Sequence, residues 1–301
     1  MRIIGHHKER EVLRQSTERQ DIAQAYLFFG PRSVGKSLCA LEFASQLTGE
    51  PDFIPSEEKP HPYDVMVLRP LEETKRGVTK TKSIPAVSVR EALTFLSQFP
   101  VAGKFRVLII EEAHRLSETA QNVLLKTLEE PQSSAVILLV THEVGAILPT
   151  VLSRVKRVRF DFIPEEELRQ SVTSFVPEEA LTEVAPFFFA LGRPGMVLSA
   201  LKDPKTFVVE RELLGSLFRL STLTLAERMT LAETLGQQGE RTIRLLEWWL
   251  PGLYQQGRKL TDTLTTTRFF SLLDEIEKTM RLLKTTESNK RLLLEKLFLM
   301  V

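Results

Sequence analysis

The sequence predicts a parallel α/β layer followed by an all-α region, and three observations predict it. Short apolar runs alternate with helical patterns through the first half. A phosphate-cradling motif joins the first run to a helix. After Phe160 the strand signals stop. The runs are residues 26–29, 64–68, 107–110, 136–140 and 155–160. Four of the five are nearly continuous in apolar residues, as expected for strands buried on both faces of a parallel sheet. Strand, helix and strand repeated in this way imply a doubly wound layer.

The elements follow in order. The helix after the motif carries Leu38, Leu41, Ala44 and Leu47 at helical spacing, and Gly49-Glu50-Pro51 stops it. Ser117 can cap the next helix, whose stripe is Ala120, Leu124 and Leu128 before Pro131 ends it. Residues 72–85 are polar, with Lys75, Arg76, Lys80 and Lys82 close together. They read as a solvated loop, with a DNA-facing or partner-facing loop as the sharper alternative. Residues 161–203 read as short helices around Pro164, Pro177, Pro186 and Pro194. Beyond them the helices fall at 207–220, 225–236, 242–257, 268–283 and 287–299. Gly and Pro mark several boundaries.

Composition narrows the classes. The 301 residues suffice for about two or three domains. A formal charge of +1 lacks the basic excess of a dedicated nucleic-acid binder, so any DNA contact is local or shared with partners. The single cysteine, Cys39, makes no intrachain disulfide and no cysteine zinc cluster, which suits a reducing cytoplasm. It reads as a small core residue. The N-terminus is charged almost at once (Arg2, Lys8, Glu9, Arg10), and no segment approaches the ~18 apolar residues of a membrane span. The expectation is a soluble, cytoplasmic protein with no membrane contact.

The chemistry concentrates at Gly30-Pro31-Arg32-Ser33-Val34-Gly35-Lys36-Ser37, a full match to G-x-x-x-x-G-K-[ST]. Its glycines let backbone N–H groups fold around a polyphosphate. Lys36 can reach the β and γ phosphates, Ser37 can ligate Mg²⁺, and the following helix points its positive end at the anion. ATP with Mg²⁺ is the expected ligand; a relic loop that binds nothing is the competing reading. Val107-Leu108-Ile109-Ile110-Glu111-Glu112 supplies the acids. In such sites the first acid, here Glu111, holds Mg²⁺ and the second, Glu112, polarises the attacking water. The usual first acid is Asp. A metal at ~2.1 Å in octahedral geometry tolerates little slack, so Glu111 is a poor ligand. The bland reading is an exposed acidic turn. Thr141, closing the fourth run, can sense the γ-phosphate, although Thr at a strand end is commonplace. Arg154, in Leu148-Pro149-Thr150-Val151-Leu152-Ser153-Arg154, can act as an arginine finger on a neighbouring subunit. Spacing alone favours an ordinary surface arginine in a basic strand (Lys156, Arg157, Arg159).

Together these segments resemble the AAA+ clamp-loader subunits of bacterial DNA polymerase III, and among them the delta-prime type. The resemblance is carried by Ile4-Gly5-His6, Ala25-Tyr26-Leu27-Phe28, the loop itself and His61-Pro62-Tyr63-Asp64. Its most specific run is Ala120-Gln121-Asn122-Val123-Leu124-Leu125-Lys126-Thr127-Leu128-Glu129-Glu130-Pro131. Asn289-Lys290-Arg291-Leu292-Leu293-Leu294-Glu295 resembles the closing helix. The resemblance is strong over residues 1–160, moderate over 185–205 and weak beyond. It implies three domains: a RecA-like AAA+ parallel-sheet core (1–160), a small helical lid (161–205) and a C-terminal helical collar (206–301). It also implies a five-subunit ring with gamma/tau and delta partners, which opens the sliding clamp and places it on primed DNA. Within that resemblance Arg154 becomes the finger for the adjacent subunit's ATP.

This chain departs from the family pattern in four places. The four-cysteine zinc module usual in these subunits is lost or replaced by residues 50–62, so no zinc is expected. Ser153-Arg154-Val155 replaces Ser-Arg-Cys and keeps the arginine. Where hydrolysing relatives carry a lid arginine three residues after a Gly, this chain has Gly195, with Arg193 displaced beside Pro194. Glu111 replaces Asp. The resemblance therefore implies a subunit that keeps nucleotide but hydrolyses it weakly or not at all. The alternatives are a gamma/tau-type motor ATPase, a standalone P-loop enzyme such as a kinase, and a scaffold with a dead loop. Trp248 and Trp249 read as collar core plus one interface contact. Leu293, Leu297 and Met300 read as collar core or subunit interface. His6, His7, His114 and His142 lack metal-ligand spacing.

Overall fold

The structure is a computed structural model that describes residues 3–49, 63–75, 78–130, 132–174, 191–202, 204–257, 263–285 and 289–301. The chain divides into two compact units, Met1–Ser171 with Gly192–Gly195, and Val172–Leu191 with Met196–Val301.

The first unit is built on a five-stranded parallel sheet. Its strands are β1 (Ala25–Phe29), β2 (Val65–Leu68), β5 (Arg106–Ile110), β6 (Ala135–Thr141) and β7 (Lys156–Arg159). They lie in the order β2-β5-β6-β1-β7, all parallel. All five apolar runs are therefore strands. Successive side chains alternate between the two faces, which is why the runs are continuously apolar. Tyr26, Phe28, Val107, Ile109, Val136 and Leu138 pack under helices α1 (His7–Glu18) and α2 (Lys36–Thr48). Leu27, Leu108, Ile110, Ile137 and Leu139 pack under α3 (Ala86–Leu96) and α4 (Glu118–Glu129). Cys39 is buried in the α2 face. Gly49, at φ 74°, ends α2, and the Ser117 hydroxyl accepts the Ala120 N–H at 3.1 Å to start α4.

Residues 72–85 depart from the loop expected of them. β3 (Glu72–Lys75) and β4 (Val78–Thr81) form an antiparallel hairpin, and Lys82 N–H donates to Leu71 O at 2.8 Å. The β-branched residues Thr74, Val78, Thr79 and Thr81 favour extended backbone, and the charges between them mask the alternation. Arg76 and the Lys75 and Lys80 side chains lie outside the described residues, as do residues 50–62.

Asp64, at the entrance to β2, anchors the turn before β5. Its carboxylate accepts the N–H groups of Val101 (2.8 Å), Ala102 (2.7 Å) and Gly103 (3.2 Å), and Arg106 Nε lies 3.4 Å away. Burial acts to raise its pKa, but these N–H groups and Arg106 outweigh it and hold the carboxyl below its ordinary value. The stabilisation it gives is present above the ordinary value of 3.8 and is lost as pH falls through the lowered native value. Asp64→Ala removes the acceptor of three turn N–H groups and the carboxylate beside the buried Arg106, which keeps Phe95 O and Gln98 Oε1, and is expected to cost about 3–5 kcal/mol. Urea unfolding of the variant at neutral pH checks this; a loss under about 1 kcal/mol contradicts the anchoring role.

The second unit is helical among its described residues. Its helices are Pro204–Phe218, Leu225–Gly236, Glu240–Gly257, Thr263–Thr285 and Lys290–Leu299, with Pro194–Lys202 entering it. Thr224 and Glu227 form a capping box, and the Asn289 carboxamide oxygen accepts from Arg291 N–H at 3.1 Å to start the last helix. Trp248 and Trp249 are both buried, so neither supplies the exposed contact expected of one of them. In the last helix Leu297 is buried and Leu293 half-buried, while Leu292, Leu299 and Met300 are exposed. The outward apolar face is thus rotated from the expected stripe. No described helix is long and apolar enough to cross a membrane.

Candidate nucleotide-binding site

The loop after β1 is shaped by two glycines. Gly30 has φ 138°, and a Cβ there would stand 1.9 Å from Phe160 O, because Phe160 N–H donates to Phe29 O at 2.8 Å. Gly35 has φ 112° and opens α2. Ser33 between them is also left-handed, at φ 60°.

Every carbonyl from Gly30 to Gly35 accepts a hydrogen bond. Lys36 Nζ donates to Gly30 O at 2.9 Å and to Pro31 O. Arg193 Nη1 donates to Arg32 O at 3.1 Å, and Gly195 N–H to Ser33 O at 2.8 Å. His6 Nε2 lies 2.8 Å from Val34 O, and Cys39 N–H donates to Gly35 O at 3.0 Å. These bonds hold the carbonyls and fix the loop's shape; backbone N–H groups in such a turn can cradle an anion, as a nest does. His6 and Arg193 were missed as supports. Both meet the loop through distant contacts, and Arg193 is 161 residues from Arg32. A Cβ on Gly195 would lie 2.9 Å from Ser33 O. That leaves no room for the arginine that hydrolysing relatives are expected to place there.

Lys36 is 7% exposed. Burial pushes its pKa down to about 7, helped by Arg193 and Arg32 nearby. A bound phosphate would supply the opposite charge this ammonium lacks.

Both acids follow β5 at the same edge of the sheet as the loop, and both are held by arginines. Glu111 Oε2 accepts from Arg69 Nε at 2.8 Å, and Oε1 from Nη2 at 3.4 Å. Glu112 sits at φ 48°; its carboxylate accepts from Arg115 Nε at 2.8 Å and Arg32 Nη2 at 3.3 Å. Thr141 ends β6 at this edge, and its hydroxyl lies 3.2 Å from His114 Nδ1 and accepts Glu143 N–H at 3.0 Å. Burial pushes His114 down to about 4, so its imidazole is neutral near pH 7. The structure thus gives His114 a partner that its sequence position did not suggest. Of the expected metal ligands, Ser37 is at the start of α2 and Glu111 is engaged by Arg69.

Arg154 stands apart. The register pairs Tyr26 with Lys156 and Phe29 with Arg159. The loop leaves the carboxyl end of β1, whereas Arg154 precedes β7 at the amino end, on the order of 10 Å or more away along the strands. There it pairs with Glu129 at 2.8 Å and donates to Thr150 O at 2.9 Å. Gly30–Ser37, Glu111, Glu112 and Thr141 share one edge; Arg154 lies at the other and does not face its own loop.

The sequence matches the family described as DNA polymerase III, delta subunit over residues 5–164. Among curated relatives, the DNA polymerase III subunit delta' of Pseudomonas aeruginosa is 33% identical over 147 residues, 45% of this chain and 42% of that protein. The subunit tau/gamma of Haemophilus influenzae is 28% identical over 201 residues, 64% of this chain and 28% of that protein. The matches thus span less than half the length of these relatives. Among solved structures, a DNA polymerase III gamma subunit-related protein of Thermotoga maritima has a TM-score of 0.54 at 20% identity, covering 95% of this chain and 97% of that one. The Thermotoga maritima RuvB branch migration motor has a TM-score of 0.52 at 19% identity, covering 84% and 88%. At these identities the two structures speak for the fold alone: a RecA-like AAA+ core with a helical C-terminal region. By the matched half of its sequence and by its fold, the chain belongs to the DNA polymerase III, delta subunit family of clamp-loader proteins.

Proposed function

We propose that this chain is the delta-prime-type subunit of the clamp loader. In this reading it holds ATP or ADP in the 30–37 loop, turns ATP over slowly, and offers Arg154 to the nucleotide of an adjacent subunit. The observation that carries the reading is the separation of Arg154 from its own loop across the sheet, which suits action on another chain. The arginine-held acids and the closed space at Gly195 support slow turnover. In the assembled ring with gamma/tau and delta, the work is loading the sliding clamp onto primed DNA. Pull-down of the native complex with identification of its partners tests the class. Recovery of polymerase III loader subunits supports it; recovery of none overturns it.

The intact loop, and tau/gamma matches that extend further along this chain than the delta' match, favour a second reading as a motor subunit. That reading requires Glu111 and Glu112 to leave their arginines.

If Lys36 contacts phosphate, binding raises its pKa from about 7. Below that pH the ammonium is already charged and affinity is flat. Above it, binding must take up a proton, so affinity falls by up to about tenfold per pH unit. Calorimetry in buffers of different ionisation heat measures this uptake at about pH 8; no uptake contradicts direct contact by Lys36.

A further inference from the structure

The two acids expected to organise Mg²⁺ do not fit a metal as the chain arranges them. Arg69 directly follows β2 and Glu111 directly follows β5, and these strands are neighbours with Leu68 beside Ile110. Glu111 N–H donates to Leu68 O at 3.0 Å, which fixes the two main chains one strand apart. The bidentate Arg69–Glu111 pair is therefore set by register, and both oxygens of the metal-side carboxylate are taken. Glu112 is likewise turned to Arg115 and Arg32. Of the expected metal donors this leaves Ser37. On the loop beside it are the positive groups Lys36 and Arg32; Arg69 follows β2, which β5 and β6 separate from β1. Arg32 keeps a side-chain exposure of 29%, so a ligand on the loop can reach it. Guanidinium groups stay charged at all working pH values and pair with phosphate oxygens in bidentate fashion.

We propose that the 30–37 loop takes a nucleoside polyphosphate without a divalent cation, with Lys36 and Arg32 neutralising the phosphates in place of Mg²⁺. This rests on the reading that the loop holds a nucleotide. Arg69 serves by occupying Glu111, which removes a metal ligand. The ligand class is a metal-free nucleoside di- or triphosphate.

The test is a fluorescence titration of the full chain with a labelled ADP and a labelled ATP, in millimolar Mg²⁺ and in EDTA. The expected result is the same affinity in both buffers, within about twofold. Weakening of about tenfold or more in EDTA overturns the proposal. No binding in either buffer overturns the nucleotide reading beneath it, so the two failures are distinguishable. Arg69→Ala, a change at a half-exposed side chain, is expected to leave affinity in EDTA unchanged and to tighten binding severalfold in Mg²⁺, because Glu111 is then released. An Arg69→Ala protein with the same affinity in both buffers contradicts the blocking of Glu111 by Arg69.

Discussion

Replacing Arg154 by Ala in the reconstituted loader is expected to cut ATP turnover by about a thousandfold at the site it serves, while assembly is unchanged. The magnitude follows from what a guanidinium does when charge develops on a transferring phosphoryl group. The fixed cation stabilises the transition state more than the ground state, so the loss falls on kcat. Folding should be nearly indifferent to the change. Arg154 is 36% exposed and paired to the exposed Glu129, and surface pairs of this kind contribute about 0–1 kcal/mol. The isolated subunit provides the contrast. Because Arg154 stands at the amino end of β7 and the phosphate loop at the carboxyl end of β1, the variant should bind nucleotide on its own loop as the parent does. Steady-state phosphate release by the assembled loader, with size-exclusion chromatography as the assembly check, measures both. Undiminished turnover in an intact complex removes the finger role. Loss of nucleotide binding by the isolated variant contradicts the separation of the two sites.

Gly30→Ala is expected to destabilise the first unit by about 3–5 kcal/mol and to abolish nucleotide binding. Two costs coincide there. The backbone at φ 138° disfavours any side chain, and the new methyl would stand 1.9 Å from Phe160 O. Neither can relax cheaply, since Phe160 N–H is bonded to Phe29 O, on the residue before the glycine. Relief would require β1 and the exit of β7 to part. Gly145→Ala is the matched control: a Cβ there meets nothing within 4 Å, so stability should stay within about 0.5 kcal/mol. Urea unfolding followed by far-UV circular dichroism compares the two, because both tryptophans lie in the helical unit. Equal stability of the two variants would contradict the close approach of loop and sheet exit.

The fold was largely legible because buried parallel strands are written as continuous apolar runs, and each run predicted from residues 26–29 to 155–160 has its strand. The cap at Ser117 and the stop at Gly49 were legible for the same local reason, whereas the last helix, expected from residue 287, starts only after its Asn289 cap. The hairpin at β3 and β4 was hidden because Glu72, Glu73 and Lys80 obscure its alternation. Helix α1 (His7–Glu18) carries few apolar residues and gave little periodic signal. The loop, its acids and Thr141 were readable as short motifs. Their occupancy was not. Arg69 reaches Glu111 across 42 residues only because β2 lies beside β5. Arg193 and His6 reach the loop only because chain segments far from it close over its carbonyls. Such contacts follow from strand order and closure of the fold, which no local window contains.

In the proposed reading this chain keeps nucleotide without turning it over rapidly. Release of labelled γ-phosphate by the isolated chain at saturating ATP, beside a gamma/tau motor subunit under the same conditions, tests it most directly. The expected result is stoichiometric binding with turnover at least about a hundredfold below that of the motor subunit. Turnover equal to the motor subunit's would contradict it.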